Sequence, residues 1–377
     1  MKIVIAPDSF KESLSALEVA DAIEKGFKRH FPDAEYVKIP MADGGEGTVQ
    51  SLVDATGGEI IRKKVTGPHG VPVEAFLGIL GNKTTAVIEM AAASGLHFVP
   101  AEKRNPLITS TRGTGELIAA ALDYGVNYII IGIGGSATND GGTGMAKALG
   151  VRFLDRNGEE ISEGGGALGD LVSIDLTDLD SRLNKIKIEV ACDVDNPLTG
   201  ERGASAIFGP QKGATPEMVV QLDRNLGHFA AIIERDLGKK IKDVSGAGAA
   251  GGLGGGLLAF VNAELKRGVD IVIEATGLSQ VVQDADLVIT GEGKIDGQTI
   301  FGKTPIGVAK TAKKVGAPVV GIAGNIANDS HIVHDYGIDA VFSIVPGVVL
   351  LEDAFTHAAE YVERTAVNIA AVWKMKR

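Results

Sequence analysis

Polar and charged residues are concentrated between Leu287 and Lys303, in the stretch LVITGEGKIDGQTIFGK. Its apolar start, Leu287–Ile289, predicts a buried strand, and Pro305 predicts the first turn of a following helix, where a missing N–H costs nothing. The carboxyl end of a strand in an open α/β sheet is where ligands bind, and a helix N-terminus attracts anions. Carboxylates, lysines and glycines at such a place suit Mg²⁺ and phosphate together. The residues of this kind are Gly291, Glu292, Gly293, Lys294, Asp296, Gly297, Gly302 and Lys303.

Other loops that follow predicted strands have a similar make-up of acids, polar side chains and glycines. They are Asp8–Lys11, Asp43–Thr48, Ser136–Gly142 and Asp193–Asn196. Any one of them is explained by an ordinary turn, since glycine and aspartate are common turn residues. Together they favour a site for phosphate and Mg²⁺, because phosphoryl transfer needs cations around the transferred group, carboxylates for the metal and a positioned base.

The elements that position these loops form β-α-β regions at the two ends of the chain. Apolar runs predict strands at Lys2–Ala6, Tyr36–Ile39, Leu287–Ile289, Val319–Ile322 and Ala340–Ile344, with helices between them. After about residue 58 the pattern changes to three strands joined by short turns, which is typical of an antiparallel meander.

We therefore predict an α/β fold in which a doubly wound, parallel-sheet domain carries an inserted second α/β domain. Residues 1–58 and 285–377 are expected to form the first domain, which is Rossmann-like or flavodoxin-like. Residues 59–284 are expected to form the inserted domain.

Two glycine patterns match nucleotide-binding motifs but stand in the wrong context. Residues 297–304 match the P-loop pattern G-x-x-x-x-G-K-[ST], yet six residues, Gly291 to Asp296, separate them from the predicted strand. Residues 246–251 match G-x-G-x-x-G, but lysines occupy the place of the required preceding strand. We predict that neither stretch forms its motif, although Lys303 is still expected near phosphate.

Composition excludes several classes of function. The chain has 377 residues, of which 45% are hydrophobic and only 5% aromatic, which suits parallel strands covered by helices. A net charge of −11 argues against nucleic acid or an anionic membrane as a partner. The single cysteine, Cys192, excludes an internal disulfide, and no apolar run suits a signal peptide or a membrane span. We expect a cytoplasmic monomer or homodimer that acts on a small molecule.

Stretches in order along the whole chain resemble the type I glycerate kinase family. They are APDSFKES (6–13), MADGGEGT (41–48), IEMAAASGL (88–96), STRGTGELI (110–118), IGGSATNDGG (133–142), CDVDNPLTG (192–200), FGPQKGA (208–214) and TGEGKIDGQTIFGKTPIGVA (290–309). This resemblance is more specific than any single motif. It implies ATP-dependent phosphorylation of D-glycerate, usually to 2-phosphoglycerate, with Mg²⁺, and an active site in the cleft between two α/β domains.

Residue types suggest roles, because a glycerate carboxylate should meet cations or backbone N–H groups and Mg²⁺ should meet carboxylates. The expected substrate-binding residues are Ser9, Lys11, Asp43, Gly44, Arg104 and Lys212. The expected catalytic residues are Asp296, Asp193 and Lys303, and the two aspartates are also expected to hold Mg²⁺. The expected nucleotide- or phosphate-binding residues are Gly134, Gly135, Ser136, Asn139, Asp140, Gly291, Glu292, Gly293 and Lys294.

The sequence leaves open which loop faces ATP and which faces glycerate. It also leaves two rival functions, a kinase for a larger sugar acid and a non-catalytic sensor of small acids. A sensor would not need carboxylates and lysines that converge on one place, so their presence counts against it.

Overall fold

The computed structural model describes residues 1–375. Its strands are β1 (Lys2–Ile5), β2 (Glu35–Lys38), β3 (Glu59–Thr66), β4 (Pro72–Ile79), β5 (Thr85–Glu89), β6 (Tyr128–Gly132), β7 (Arg152–Leu154), β8 (Ser173–Asp175), β9 (Lys187–Ala191), β10 (Glu264–Lys266), β11 (Leu287–Ile295), β12 (Val319–Ile326) and β13 (Ala340–Ser343). Its α-helices are α1 (Ala16–Lys28), α2 (Thr48–Thr56), α3 (Ala91–Ser94), α4 (Arg112–Asp123), α5 (Thr143–Ala148), α6 (Ala204–Phe208), α7 (Pro216–Leu237), α8 (Ala249–Phe260), α9 (Gly268–Thr276), α10 (Leu278–Val281), α11 (Thr304–Lys313), α12 (Leu351–Thr356) and α13 (Ala358–Met375). Across the part of the chain that the structure describes, no helix combines the length and apolar character that a membrane crossing requires.

The strands from the two ends of the chain form one five-stranded sheet in the order β13-β12-β11-β1-β2. All of its pairings are parallel, and β1 pairs directly with β11, with Ile3 opposite Leu287. The predicted α/β fold with a parallel sheet is thereby confirmed. Because the chain runs outward from β1 on one side and from β11 on the other, the strand order reverses between these two strands. A crevice at the carboxyl ends of such strands is a ligand-binding position.

Helices α1 and α13 cover one face of this sheet. The N-terminus of α1 is fixed by a capping box, in which Ser15 and Glu18 exchange hydrogen bonds as the sequence predicts. A Cβ on Gly26 would lie 2.5 Å from the backbone oxygen of Glu363, so this glycine allows α1 and α13 to approach closely. Apolar residues such as Phe27 are fully buried in the resulting core.

A six-stranded mixed sheet, in the order β10-β9-β6-β5-β4-β3, forms a second core with the helices that pack against it. The pairs β3-β4 and β4-β5 are antiparallel, which confirms the predicted meander. The pairs β5-β6, β6-β9 and β9-β10 are parallel. A separate two-stranded sheet consists of β7 and β8.

The chain divides into two compact units. Unit 1 comprises Met1–Asp43, Gln50–Gly57 and Val269–Arg377, and unit 2 comprises Gly44–Val49 and Gly58–Gly268. The last segment of unit 1 therefore starts at Val269, whereas the predicted boundary is at residue 285. The difference arises because α9 packs on α11, where a Cβ on Gly307 would lie 2.2 Å from a methyl group of Val269. That the units are the predicted domains stays a prediction.

The glycine-rich stretch 246–256 serves close packing of backbone. Within α8, residues Ala250, Gly251 and Gly252 have positive φ, so the helix is kinked near its start. A Cβ on Gly251 would lie 2.0 Å from the backbone oxygen of Thr138, so no side chain fits there. No strand lies between α7 and α8 in the described chain, and the stretch does not form the dinucleotide-binding motif.

Candidate active site

Asp8 follows the carboxyl end of β1, at the point where the strand order of the unit 1 sheet reverses. Its backbone N–H donates to the oxygen of Gly291 on β11 (2.8 Å). Its carboxylate accepts hydrogen bonds from the N–H of Ser9 (2.7 Å) and from the hydroxyl of Thr304 (2.6 Å). Because Thr304 is the first residue of α11, Asp8 is held between the end of β1, the middle of β11 and the N-terminus of a helix.

Glu292 lies on β11 beside this aspartate. One of its carboxylate oxygens accepts a hydrogen bond from the Thr299 hydroxyl (2.7 Å), and the other lies 3.3 Å from the ammonium group of Lys303. The Glu292 side chain is only 12% exposed, whereas that of Lys303 is 34% exposed. Lys303 therefore retains access to solvent while its charge is directed toward the carboxylates.

The structure corrects the predicted end of the strand before this loop. β11 continues to Ile295, so Gly291 and Gly293 lie inside a strand rather than in a phosphate-binding loop. A Cβ on Gly291 would lie 2.3 Å from the backbone oxygen of Ile322 on β12, which explains the glycine by sheet packing. A Cβ on Gly293 would have its nearest neighbours 3.8 Å away, in the backbone of the Asp8–Lys11 loop.

Because β11 ends at Ile295, only Asp296 separates the strand from Gly297. The distance from the strand is therefore no longer a reason against a P-loop at residues 297–304. Hydrogen bonds within the loop supply a different argument. The N–H groups of Gln298, Thr299 and Phe301 donate to oxygens of Asp296, Asp296 and Gln298, respectively. Amides that are engaged in this way do not converge on one anion. Whether the loop wraps a nucleotide phosphate stays a prediction, and these contacts support the negative answer.

Asp296 is fixed by contacts to its own loop and to Lys294. One carboxylate oxygen accepts from the N–H of Gln298 (2.9 Å), and the other lies 2.8 Å from the Lys294 ammonium group. The ion pair with Lys294 holds the pKa of the Asp296 carboxyl below its usual value. Asp296 is thus an ionised, mostly buried residue whose two oxygens both have partners.

A cavity of about 800 Å³ opens over the Asp8 loop in unit 1. Its polar wall contains three acidic residues, Asp8, Asp43 and Glu292, and three lysines. The lysines are Lys11, Lys294 and Lys303. Its apolar wall follows β13 and includes Ile344, Val345, Val349, Leu351 and Phe355. The described residues that line it do not include Asp296.

The electrostatics of the polar wall are unusual at Asp8. Enclosure by the protein and the nearby carboxylates of Asp43 and Glu292 raise the pKa of Asp8 to about 7, although hydrogen bonds from Thr304 and Ser9 oppose the change. Burial likewise raises the pKa of Glu292, which Thr299 and Lys303 partly offset. Asp8 therefore changes its charge near neutral pH, unlike an ordinary aspartate.

In unit 2, Lys212 lies beneath the loop that contains Ser136 and Asp140. It is 1% exposed, and its ammonium group donates to the oxygen of Thr138 (2.6 Å) and to the Ser136 hydroxyl (3.3 Å). Burial lowers the pKa of Lys212 to about 7, while the charge of Asp140 opposes this. The predicted substrate-binding lysine is therefore enclosed by the loop.

Asp140 joins two segments of unit 2 around one carboxylate. It is fully buried and accepts hydrogen bonds from the N–H groups of Thr111, Gly142 and Gly144 and from the Thr111 hydroxyl, at 2.8–3.2 Å. Burial nevertheless raises the pKa of its carboxyl group. These contacts hold the starts of α4 and α5 together.

Comparison with known proteins gives one consistent result. The model of the Glycerate kinase family matches residues 3–374. A glycerate kinase of Bacillus subtilis (strain 168) is 67% identical over 100% of this chain and 99% of its own length. A glycerate 2-kinase of Escherichia coli (strain K12) is 59% identical over 98% of this chain and 97% of its own.

A crystal structure described as glycerate kinase 2 from Salmonella typhimurium LT2 has a TM-score of 0.93 and 58% identity, covering 100% of this chain and 99% of that one. The chain belongs to the Glycerate kinase family. The resemblance predicted from the sequence is confirmed, and so is the α/β fold.

The structure brings half of the predicted site residues together in unit 1. Ser9, Lys11, Asp43, Glu292, Gly293, Lys294 and Lys303 line the cavity. The remaining unit 1 residues, Gly291 and Asp296, lie in the adjoining strand and loop.

The other predicted residues lie in unit 2. Gly134 and Gly135 are exposed beyond the carboxyl end of β6, whereas Asn139 is fully buried. Gly44 is buried, and a Cβ there would lie 2.4 Å from the Cβ of Ala191.

Two charged residues predicted to bind substrate or metal have structural contacts in unit 2. Arg104 donates to the backbone oxygen of Gln211 (3.1 Å), beside Lys212. Asp193 is exposed, and its carboxylate accepts from the N–H of Gly268 (3.1 Å) at the start of α9. Their roles in binding or catalysis stay predictions.

The sequence places Asp8 in one of the candidate loops but suggests no individual role for Asp8, Thr299 or Thr304. The position of Asp8 in the loop after β1 could have identified its role, since that is where ligands bind in such sheets. The two threonines carried no comparable signal. The Thr299 hydroxyl donates to Glu292, and the Thr304 hydroxyl donates to Asp8 on the neighbouring strand's loop.

Residues 1–375 contain no group of three or more acidic, histidine or cysteine side chains arranged to hold a metal ion. A cage built by the protein alone is therefore not present in this part of the chain. Mg²⁺ in phosphoryl-transfer sites is usually held by one or two carboxylates together with substrate phosphates. That Asp193 and Asp296 hold Mg²⁺ stays a prediction.

Proposed function

We propose that this chain transfers the γ-phosphoryl group of ATP to the 2-hydroxyl of D-glycerate, which gives 2-phosphoglycerate and ADP. The observation that carries this proposal is the identity of 58–67% to named glycerate kinases over the whole chain. Family membership implies a small-molecule substrate and the use of ATP. The cavity in unit 1 offers groups that suit both.

The charges of the cavity fit the ligands of this reaction. Glycerate carries a carboxylate and ATP carries phosphates, and lysine ammonium groups bind both kinds of anion. Lys303 stands at the N-terminus of α11, which adds the partial positive charge of a helix end. We assign Lys303 to the transferred phosphoryl group and Lys11 to the anionic part of either ligand.

The apolar wall of the cavity suits the purine ring of ATP. Val345, Val349, Leu351 and Phe355 provide aliphatic and aromatic surface, with the polar groups of Asn325 and Ser343 on the same lining. Ligand sites are commonly cavities of about 300–1,000 Å³ with mainly apolar walls and a few polar groups. A volume of about 800 Å³ is therefore large enough for a nucleotide and a three-carbon acid.

Mg²⁺ would neutralise charge on the β- and γ-phosphates when it is bound with ATP. Asp296 and Asp193 are the residues we propose to hold it. In unit 2, Gly134 and Gly135 are proposed to contact phosphate because their backbone is exposed at a strand end. Lys212 stays a predicted substrate-binding residue, and its burial and contacts support a role in holding the Ser136–Asp140 loop.

Release of ADP, measured in a coupled assay, tests this function. D-Glycerate, tartronate, glycerol and gluconate are compared with the purified chain, ATP and Mg²⁺. We expect D-glycerate to give the highest kcat/KM. Glycerol, which lacks a carboxylate, should cause almost no ADP release. A preference for gluconate would establish a kinase for a larger sugar acid. No ADP release with any of the acids, together with glycerate binding, would establish a sensor.

Lys303→Met provides a matched test of the cavity. The change retains the length of the side chain and removes its charge. We expect kcat to fall about 10²-fold or more, because electrostatic contacts to a developing charge contribute at this scale. Lys103→Met, at an exposed residue of unit 2, is the control and should retain wild-type turnover.

A further inference from the structure

Asp8 differs from two neighbouring carboxylates of unit 1, Glu292 and Asp296, in its partners. Glu292 is within ion-pair distance of Lys303, and Asp296 is paired with Lys294. Within the part of the chain that the structure describes, no cation forms an ion pair with Asp8. Its hydrogen-bond donors are the Thr304 hydroxyl and the Ser9 N–H and hydroxyl.

These contacts hold the carboxylate in a fixed position without neutralising it. The Thr304 hydroxyl approaches one oxygen at 2.6 Å, while Ser9 donates to the other oxygen at 2.7 Å through its N–H. The oxygen that accepts from Thr304 has a second lone pair, so it can still accept a hydrogen bond from a ligand. Asp8 lines the cavity together with Lys303 and Lys11, so an acceptor hydroxyl and a phosphoryl group can lie beside it.

We propose that Asp8 is the catalytic base of the phosphoryl transfer, which rests on the function proposed above. The proton of the glycerate 2-hydroxyl passes to the Asp8 carboxylate. The hydroxyl oxygen forms a bond to the γ-phosphorus, and the bond from that phosphorus to the β,γ-bridging oxygen breaks. ADP leaves with the electron pair of that bond, and Asp8 then returns its proton to solvent.

The charge environment of Asp8 suits this task. A general base is most effective when its pKa lies near the working pH, and the pKa of Asp8 is raised to about 7. The groups that face Asp8 are the carboxylates of Asp43 and Glu292, which raise its pKa, and the lysines of the same cavity. An Asp296 whose pKa is held low by Lys294 would be a weaker base.

The first test is Asp8→Asn, with kcat measured at saturating ATP, glycerate and Mg²⁺. General-base catalysis typically contributes 10²–10⁴-fold, so kcat should fall by about this factor while the far-ultraviolet circular dichroism spectrum stays native. A variant that retains more than about a tenth of the wild-type kcat would overturn the inference. So would a loss of activity that higher Mg²⁺ restores, because that result assigns Asp8 to the metal.

The second test uses the pH dependence of kcat/KM, which a purely structural role would not move. Wild-type activity should fall as the pH drops through about 7, because the protonated carboxyl cannot accept the proton. Thr304→Val removes a hydrogen bond that favours the ionised form, so the midpoint should rise by about one pH unit. Thr304→Ser, which retains the hydroxyl, should restore the wild-type midpoint. Asp43→Asn should lower the midpoint, since it removes a like charge.

Equal midpoints in the wild type, Thr304→Val and Asp43→Asn would contradict the inference. Its failure is distinguishable from failure of the proposed function. If the wild type does not phosphorylate glycerate, the function itself is wrong. If the wild type does so and Asp8→Asn does so equally well, only the assignment of the base is wrong.

Discussion

Lys212→Met tests how burial controls charge in unit 2. Lys212 is 1% exposed, and its ammonium group donates to the Thr138 oxygen and to the Ser136 hydroxyl. Methionine has a similar length and no charge, so the variant removes the titration and leaves most of the packing. In the variant, the Thr138 oxygen and the Ser136 hydroxyl lose their donor. This loss lowers the free energy of unfolding by the same amount at every pH.

The magnitude follows from the difference between the folded and the unfolded chain. Burial lowers the pKa of Lys212 from the ordinary lysine value of 10.5 to about 7. The folded protein therefore binds this proton more weakly, and unfolding takes up a proton between pH 7 and pH 10.5. The free energy of unfolding consequently rises with pH across this window, by about 5 kcal/mol in total and about 3 kcal/mol between pH 7 and pH 9.5.

Urea denaturation at pH 7 and pH 9.5, followed by far-ultraviolet circular dichroism, measures this difference. The single tryptophan, Trp373, lies in unit 1, so its fluorescence would not report on Lys212. Between pH 7 and pH 9.5, we expect the free energy of unfolding to rise by about 3 kcal/mol more in the wild type than in Lys212→Met. Other titrating groups are common to both proteins and cancel in the comparison.

Lys103→Met serves as the control for this measurement, because Lys103 is exposed. The free energy of unfolding of this variant should rise with pH as much as that of the wild type. If the free energy of unfolding rises equally, within about 1 kcal/mol, in the wild type and in Lys212→Met, burial does not lower the pKa of Lys212 as described. In that case Lys212 retains its proton through its interaction with Asp140.

Two further predictions concern the strand and the loop beside the cavity. Gly291→Ala should lower the free energy of unfolding by about 1–3 kcal/mol or more, because the new methyl group would lie 2.3 Å from the Ile322 oxygen. Gly293→Ala, whose methyl group has room, is the matched control, and equal stabilities would contradict this account of the strand. Asp296→Asn should lower kcat about 10²-fold and raise the Mg²⁺ concentration required, as metal binding predicts. If only Asp193→Asn has this effect, the metal role belongs to Asp193.

The parallel sheet could be predicted from the sequence because its strands are short apolar runs. β1 and β12 are buried on both faces, and such runs are easy to recognise. The end of β11 could not be predicted, because Gly291, Glu292, Gly293 and Lys294 resemble a loop in composition. Their pairing with β12, opposite residues 322–325, holds them in the strand, and such long-range pairing leaves no local signal.

The candidate site could be predicted as a set of loops but not as a set of roles. Polar residues after strands identified the cavity wall, since β1 and β11 are neighbours in the sheet. The role of each charged group depends on how far its side chain is buried, and burial is set by the whole fold. Lys212 and Lys303 are both lysines in polar loops, yet the first is 1% exposed and the side chain of the second is 34% exposed.

The apolar wall illustrates the same limit. Val348 and Leu350 are exposed beside the cavity, in a segment that the sequence presents as an ordinary apolar run. Periodicity alone would predict such a run to be buried. In the structure it borders the carboxylates and lysines, and this combination of apolar and charged walls suits a nucleotide.

The position of the phosphoryl group in the product tests the central claim most directly. D-Glycerate, ATP and Mg²⁺ are incubated with the purified chain, and the product is examined by proton-coupled ³¹P NMR. We expect a phosphate signal split into a doublet by the single proton on C2, as in 2-phosphoglycerate, and at the same early time point about a hundredth of it or less with Asp8→Asn. A triplet, from a phosphate on the CH₂ group at C3, or no phosphorylated product with the wild type, would contradict it.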